Sequence, residues 1–161
     1  MQQWGVNYWE TYAPVVNWVS VRFLLVLSEI VGLNNRAIDF FLAFTQAKLD
    51  VPVYMELPIG MEVVCAGVNR RTHVLKLNRS LYGLKQASVN WYDMLEKVLE
   101  ARGFKESVAD PCVFLRGDTI VLVYVNDCIL LSQNKTTIDE FITSLKNGPE
   151  IFEFTDEGSM E

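Results

Sequence analysis

Three stretches of this chain place polar side chains where they could do chemistry. Asp39 lies inside Ala37-Ile38-Asp39-Phe40-Phe41, an acid within an otherwise apolar, strand-like run. A buried carboxylate is costly unless it is paired, hydrogen-bonded or bound to a cation. Two explanations stay open: Asp39 caps a following helix from the end of its strand, or it ligates a metal. Tyr124-Val125-Asn126-Asp127 sits between two very apolar runs. Asn and Asp are good turn residues, yet they could also converge with a distant Asp on a divalent ion such as Mg²⁺, which prefers hard oxygen donors. Leu81-Tyr82-Gly83-Leu84-Lys85-Gln86-Ala87-Ser88 puts a glycine, a cation and an amide at the opening of a helical pattern. That arrangement suits a phosphate and equally suits a solvated face.

The elements that must position these groups are legible from periodicity. Apolar residues cover most faces of a helix over Ser20 to Val31, which Gly32 stops, and the reading is that this helix is buried. Arg36 to Phe41 reads as a strand, Leu42 to Leu49 as helical, and Val53 to Glu56 as a strand that ends at Pro58-Ile59-Gly60. Val74 to Leu77 is a further strand, and Leu81 to Arg102 a long amphipathic helix that ends at Gly103. Cys112 to Leu115, Ile120 to Val125 and Cys128 to Leu131 are strands, the last two joined by a tight Asn126-Asp127 loop. Thr137 and Glu140 form a capping box for a final helix that stops at Gly148-Pro149. Intermixed helices and strands with a tight hairpin predict an α+β domain with helices on one sheet face.

Composition bounds the rest. The chain has 161 residues, half of them hydrophobic, enough for one core, and shows no repeat or linker, so it reads as a single domain over 1–161. The formal charge of -6 argues against an autonomous nucleic-acid binder, which carries a basic footprint. The charge is uneven: Arg70, Arg71, Lys76, Arg79 and Lys85 make the middle basic, and Glu150 to Glu161 is an acidic end. Cys65, Cys112 and Cys128 are odd in number and widely spaced, which fits reduced thiols better than a disulfide framework or zinc motif. His73 is the only histidine, so His-based catalysis has little scope. No signal peptide or membrane span is expected, because the apolar runs are short.

Taken together, the motifs resemble the reverse transcriptase of copia-type LTR retrotransposons. Glu10-Thr11-Tyr12-Ala13-Pro14-Val15-Val16 resembles the lead into the family's first palm helix, and Ile38-Asp39-Phe40-Phe41-Leu42-Ala43-Phe44 its motif A. Val53-Tyr54-Met55-Glu56-Leu57-Pro58-Ile59-Gly60 is similar to a fingers segment, and Ser80 to Ala87 with Trp91-Tyr92 to motif B. Ala109-Asp110-Pro111-Cys112-Val113-Phe114 and Tyr124-Val125-Asn126-Asp127 complete the set in the family's order, along nearly the whole chain.

The resemblance implies a palm, a ferredoxin-like sheet with helices on one face, plus partial fingers, with thumb, connection and RNase H regions expected elsewhere in a Pol polyprotein. It implies templated addition of deoxynucleotide triphosphates to a primer on RNA or DNA, by two-metal phosphoryl transfer with two Mg²⁺ ions, or Mn²⁺ as a substitute. Asp39, Asn126 and Asp127 would be the catalytic and metal-binding positions. Phe44 would exclude a ribose 2′-OH, or be simply a core residue, and Tyr124, Gly83, Lys85 and Gln86 would line the nucleotide and template pocket. The implied partners are template-primer, nucleotides and the remaining polyprotein, with no membrane, in an intracellular setting: a cytoplasmic virus-like particle or the nucleus.

Two departures stand out. The family carries Asp where this chain has Asn126, and Ser88 stands where many relatives have Pro, a mild change at a helix start. A lost unit charge about 4 Å from a divalent ion is worth roughly 8 kcal/mol at an effective dielectric near 20. If half of that survives in the transition state, about 4 kcal/mol is roughly a thousandfold in rate. The expectation is a chain that keeps the fold and loses most polymerase activity through Asn126 and through truncation, the expected lack of the basic first part of the fingers and of the thumb leaving poor primer-template affinity; the rival, from another class, is a non-catalytic remnant that binds nucleic acid weakly or serves as an interaction domain.

Overall fold

The computed structural model describes residues 1–65, 67–148, 150 and 152–160. Its elements in chain order are α1 (Trp18–Val31), β1 (Asn34–Phe40), α2 (Ala43–Gln46), β2 (Lys48–Glu56), α3 (Met61–Val64), β3 (Val74–Arg79) and α4 (Ala87–Ala101). There follow β4 (Lys105–Ser107), β5 (Asp110–Arg116), β6 (Thr119–Tyr124), β7 (Asp127–Ser132), α5 (Lys135–Asn147) and β8 (Phe154–Gly158). The fold is mixed α+β. Six strands form one antiparallel sheet in the order β4-β5-β6-β7-β1-β8, and β2 and β3 pair as a separate antiparallel ribbon. Among the described residues no helix is long and apolar enough to cross a membrane.

The element boundaries differ from the expected ones for identifiable reasons. α1 starts at Trp18 because the Asn17 side chain accepts the Val19 N–H at 2.9 Å, and it stops at Gly32, which takes the left-handed φ of 69°. α2 is a single turn, since Lys48 already belongs to β2. The long helix begins at Ala87 and not at Leu81, because Gly83 adopts φ 96°, outside the right-handed helical region. α5 is capped by Asn134, whose side chain accepts the Thr136 N–H at 2.9 Å, so Thr137 lies inside the helix and forms no capping box. Gly148 follows its last turn; Pro149 lies outside the described residues.

Strand alternation fixes which side chains share a face. Val121, Leu122 and Val123 are consecutive and all buried, so both faces of the sheet are covered at β6. One face carries α4, through Trp91, Leu95, Val98 and Leu99, and α5, through Ile138, Phe141, Ile142 and Leu145. Phe40 anchors it, with ring centroids 5.1 Å from Trp91, 5.3 Å from Phe152 and 5.7 Å from Phe154. Trp18 packs 6.2 Å from Tyr124, whose side chain points to the Leu122 side, and so sets α1 against the other face. The helices are therefore not confined to one face as expected. Nor is α1 buried all round: Val21, Leu24 and Ser28 are covered, whereas Phe23, Val26 and Ile30 are exposed.

Candidate active site

β1 and the β6-β7 hairpin bring the expected site together at one end of the sheet. Asp127 is the registered partner of Tyr124 on one side and of Asp39 on the other, so the three side chains form a single cross-strand row on the α1 face. Residues directly opposite in an antiparallel ladder have Cα atoms about 4.5–5.5 Å apart. The two carboxylates, far apart in sequence, are thus neighbours.

The loop of this hairpin is Val125-Asn126, one residue earlier than the expected Asn126-Asp127. Val125 takes φ 59°, the positive value that a two-residue hairpin turn of the II′ kind demands of its first loop residue and that usually selects glycine. A β-branched residue there is strained, and two hydrogen bonds hold it. Trp91 Nε1 donates to the Val125 carbonyl at 2.6 Å, and the Phe40 N–H donates to the Asn126 carbonyl at 2.8 Å. The second of these stitches the turn to the end of β1.

With its backbone so placed, Asn126 reaches Asp39: Nδ2 donates to Asp39 Oδ1 at 2.5 Å. This charge-assisted bond satisfies one carboxylate oxygen of Asp39, and of its two readings the helix cap is excluded. Asp39 caps nothing, since α2 begins after Leu42 with no side-chain cap. Partial burial, then the carboxylates of Asp39 and Glu157, push the Asp127 carboxyl above the usual aspartate range. The two ion pairs found among the described residues both belong to Arg36, with Asp139 at 2.8 Å and Asp156 at 3.0 Å, so neither reaches the Asp39–Asp127 pair. Among the described residues no group of three or more His, Cys, Asp or Glu side chains could hold a metal ion; the third position here is the neutral Asn126.

The other expected residues are placed less uniformly. Phe44 lies on α2 with its ring 4.7 Å from Tyr82, and it lines an apolar cavity of about 220 Å³ with Trp91, Tyr92, Val123 and Val125. It therefore borders the turn. Gly83, Lys85 and Gln86 do not line that cavity. Lys85 is exposed, and its backbone N–H donates to Gln2 Oε1 at 2.8 Å. The expectation that Gln86 lines a nucleotide pocket needs correction: it is 1% exposed, donates to the Asn7 carbonyl at 2.8 Å and accepts from Gln2 Nε2 at 2.7 Å. Its amide is consumed in tying the N-terminal segment to the start of α4.

Two supporting residues had no assigned role. Trp91 holds the turn, as above. Asp110, 4% exposed, accepts the Asn17 N–H at 2.9 Å and the Cys112 N–H at 3.0 Å. Burial alone would raise its carboxyl, but hydrogen bonds from Ser20, Asn17 and Cys112 hold it below the usual range, so it fixes the start of α1 against β5. The available signal was an acid followed by Pro111 ahead of an apolar strand.

Comparison with known proteins extends this geometry. The family profile of reverse transcriptase (RNA-dependent DNA polymerase) matches residues 1–159. The chain belongs to the reverse transcriptase family. It is 33% identical over 142 residues to the retrovirus-related Pol polyprotein from transposon TNT 1-94 of Nicotiana tabacum, covering 85% of this chain and 10% of the relative. Identity is 36% over 148 residues to the Pol polyprotein from transposon RE1 of Arabidopsis thaliana, covering 89% and 10%. With the transposon Ty1-ER2 Gag-Pol polyprotein of Saccharomyces cerevisiae it is 29% over 143 residues, covering 85% and 8%. This reverse transcriptase chain thus spans about a tenth of the length of the curated relatives it matches. No solved structure matches it.

Proposed function

We propose that this chain is the palm, with part of the fingers, of a copia-type retrotransposon reverse transcriptase, and that Asn126 has removed most of its nucleotidyl-transfer activity. The observation that carries the reading is the row Tyr124, Asp127, Asp39 with the Asn126 amide lying on Asp39. Support for a palm comes from the connection β1, α4, β6, β7, α5, β8, whose strands lie in the order β6-β7-β1-β8, a β-α-β-β-α-β ferredoxin-like arrangement.

The donor set fits a divalent cation, at reduced charge. Asp39 and Asp127 offer hard carboxylate oxygens with no basic partner among the described residues, and Asn126 can add a carbonyl oxygen only by turning its amide away from Asp39. Mg²⁺, or Mn²⁺ in its place, would be held by these three residues and supplies acidification of a primer 3′-hydroxyl and charge stabilisation of leaving pyrophosphate. The chain's own residues do the positioning: Phe44 beside the turn would bar a ribose 2′-OH, Tyr124 would carry the nucleotide or primer end next to the carboxylates, and exposed Lys85 would meet phosphate. Gln86 would act indirectly, through the backbone it holds. Template-primer, deoxynucleotide triphosphates and the rest of the polyprotein are the partners of this reading, and a cytoplasmic virus-like particle its setting.

Primer extension tests it. The chain, joined to the remaining polymerase regions of a relative, is compared with its Asn126→Asp variant in Mg²⁺ and in Mn²⁺. The restored charge should raise the rate about a thousandfold; equal rates in the two proteins would overturn the assignment of Asn126 to a metal position.

A further inference from the structure

α1 is apolar on both of its long faces. Its covered side buries Val21, Leu24 and Ser28, whereas Val19, Phe23, Val26 and Ile30 are 72%, 63%, 59% and 77% exposed. Successive steps between these four are four, three and four residues, the a/d spacing of a coiled-coil seam, with Phe23 and Ile30 at a and Val19 and Val26 at d. A helix lying on a globular core normally turns a polar face outward. The residues just before the two a positions are g positions, and they hold Arg22 and Glu29. These are the only charged residues of the helix, both are exposed, and neither belongs to an ion pair among the described residues.

We propose that α1 is a self-association seam on which α1 of a second copy of this chain docks antiparallel, across a two-fold axis passing beside Leu24 and Leu25. Phe23 then packs on Val26 of the second copy, and Val19 on Ile30. In an antiparallel pair g faces g, so Arg22 meets Glu29 of the other copy, and symmetry makes the contact twice. An isologous interface demands a surface complementary to itself, and one cation and one anion set either side of the axis meet that demand. A parallel pair would instead set g against e, where Ser20 and Leu27 stand, and leave both charges unpaired.

Surface area agrees with a missing contact. The chain exposes 10075 Å² at 18.4 kDa, whereas a compact monomer of that mass exposes about 8,200 Å². The excess is larger than the roughly 800 Å² per partner that a standard interface removes. Two facing stripes cover on the order of 1,000 Å² in total, the low end for a specific interface.

Sedimentation equilibrium of the 161-residue chain from about 1 to about 200 µM is the test. The expected result is a monomer–dimer equilibrium, abolished by Phe23→Asp, a change outside the core whose fold is checked by circular dichroism. Arg22→Glu sets like charges against Glu29 twice, and Glu29→Arg does the same against Arg22. Each reversal should raise the dissociation constant about tenfold. The double variant Arg22→Glu with Glu29→Arg should return it to within about threefold of the parent. A monomer throughout the range, a dimer untouched by Phe23→Asp, or a double variant no tighter than the single ones would each overturn the proposal; the first would leave the stripe to an apolar helix of another polypeptide.

Discussion

Asn126→Asp is the perturbation that reads the site without needing a working polymerase. In the parent, Asn126 Nδ2 lies 2.5 Å from Asp39 Oδ1. The variant replaces that hydrogen bond with a third carboxylate beside Asp39 and Asp127. Losing a hydrogen bond to a charged group costs about 1.5–3 kcal/mol. Two like charges about 4 Å apart repel by about 1 kcal/mol in water and about 4 kcal/mol at an effective dielectric of 20. Asp39 is half-buried and Asp127 exposed, so the lower part of both ranges applies and the metal-free variant should lose about 3 kcal/mol. For a chain of this size that is roughly 6–12 °C in Tm. A divalent ion held by the completed triad reverses the loss. At a concentration about 100 times its Kd the ion returns about 2.7 kcal/mol. The assay is calorimetric melting at pH 7 with Mg²⁺, with Mn²⁺, and with NaCl at matched ionic strength to separate binding from screening. Asn126→Asp should gain several degrees from the divalent ions alone, and the parent about 1 °C or less. If the variant melts with the parent in the absence of metal, or if both gain equally from Mg²⁺, the placement of Asn126 at a cation position is wrong.

Three further outcomes follow from the same geometry. Because the Asp127 carboxyl is raised in the folded chain, the native state binds its proton more tightly than the unfolded state does. Its ionisation therefore costs stability as pH rises through and above the usual aspartate range. Asp127→Asn should raise stability in urea melts at pH 7, with the gain fading as pH falls through the raised value and gone below the ordinary aspartate value of 3.8; a gain independent of pH would refute this. Trp91→Phe removes the donor to the Val125 carbonyl from a residue 1% exposed, and should cost about 2–3 kcal/mol, with faster amide exchange at the turn. Burial pushes the Cys112 thiol up to about 12, and the Cys128 thiol up as well, while Cys65 is only partly buried. Ellman's reagent should thus titrate Cys65 alone in the native chain at pH 8, and all three cysteines in denaturant.

How far the sequence revealed this arrangement depended on whether a local pattern had a local cause. The α1 and α5 periodicities, the glycine stop at Gly32 and the apolar runs of β5, β6 and β7 are local, and they were legible. β8 was not: Phe154-Thr155-Asp156-Glu157-Gly158 is short and acidic, the character that protects an edge strand also hides it from a propensity reading. The exposure of α1 was equally hidden, since an apolar residue looks the same whether or not a neighbour covers it. Asp39 was visible as an anomaly, but its partner was fixed only by the pairing of β1 with β7.

The hairpin turn shows why the last step needed the tertiary structure. By turn chemistry alone, Asn126-Asp127 is the better loop and Val125 belongs in the strand. In that register Asp127 would sit in the loop, outside the ladder, and would no longer face Asp39 across a strand pair. The observed turn pushes Val125 to φ 59°, which costs on the order of 1–3 kcal/mol. Trp91 and Phe40, from α4 and β1, offset that cost with hydrogen bonds to the two loop carbonyls. The turn at Val125-Asn126, held by those two bonds against its strain, is thus the physical reason that Asp127 joins the row with Tyr124 and Asp39. It is also the reason Asn126, and not Asp127, is the residue whose side chain lies on Asp39, so that the single uncharged position of the site coincides with the one the backbone aims most directly at its carboxylate.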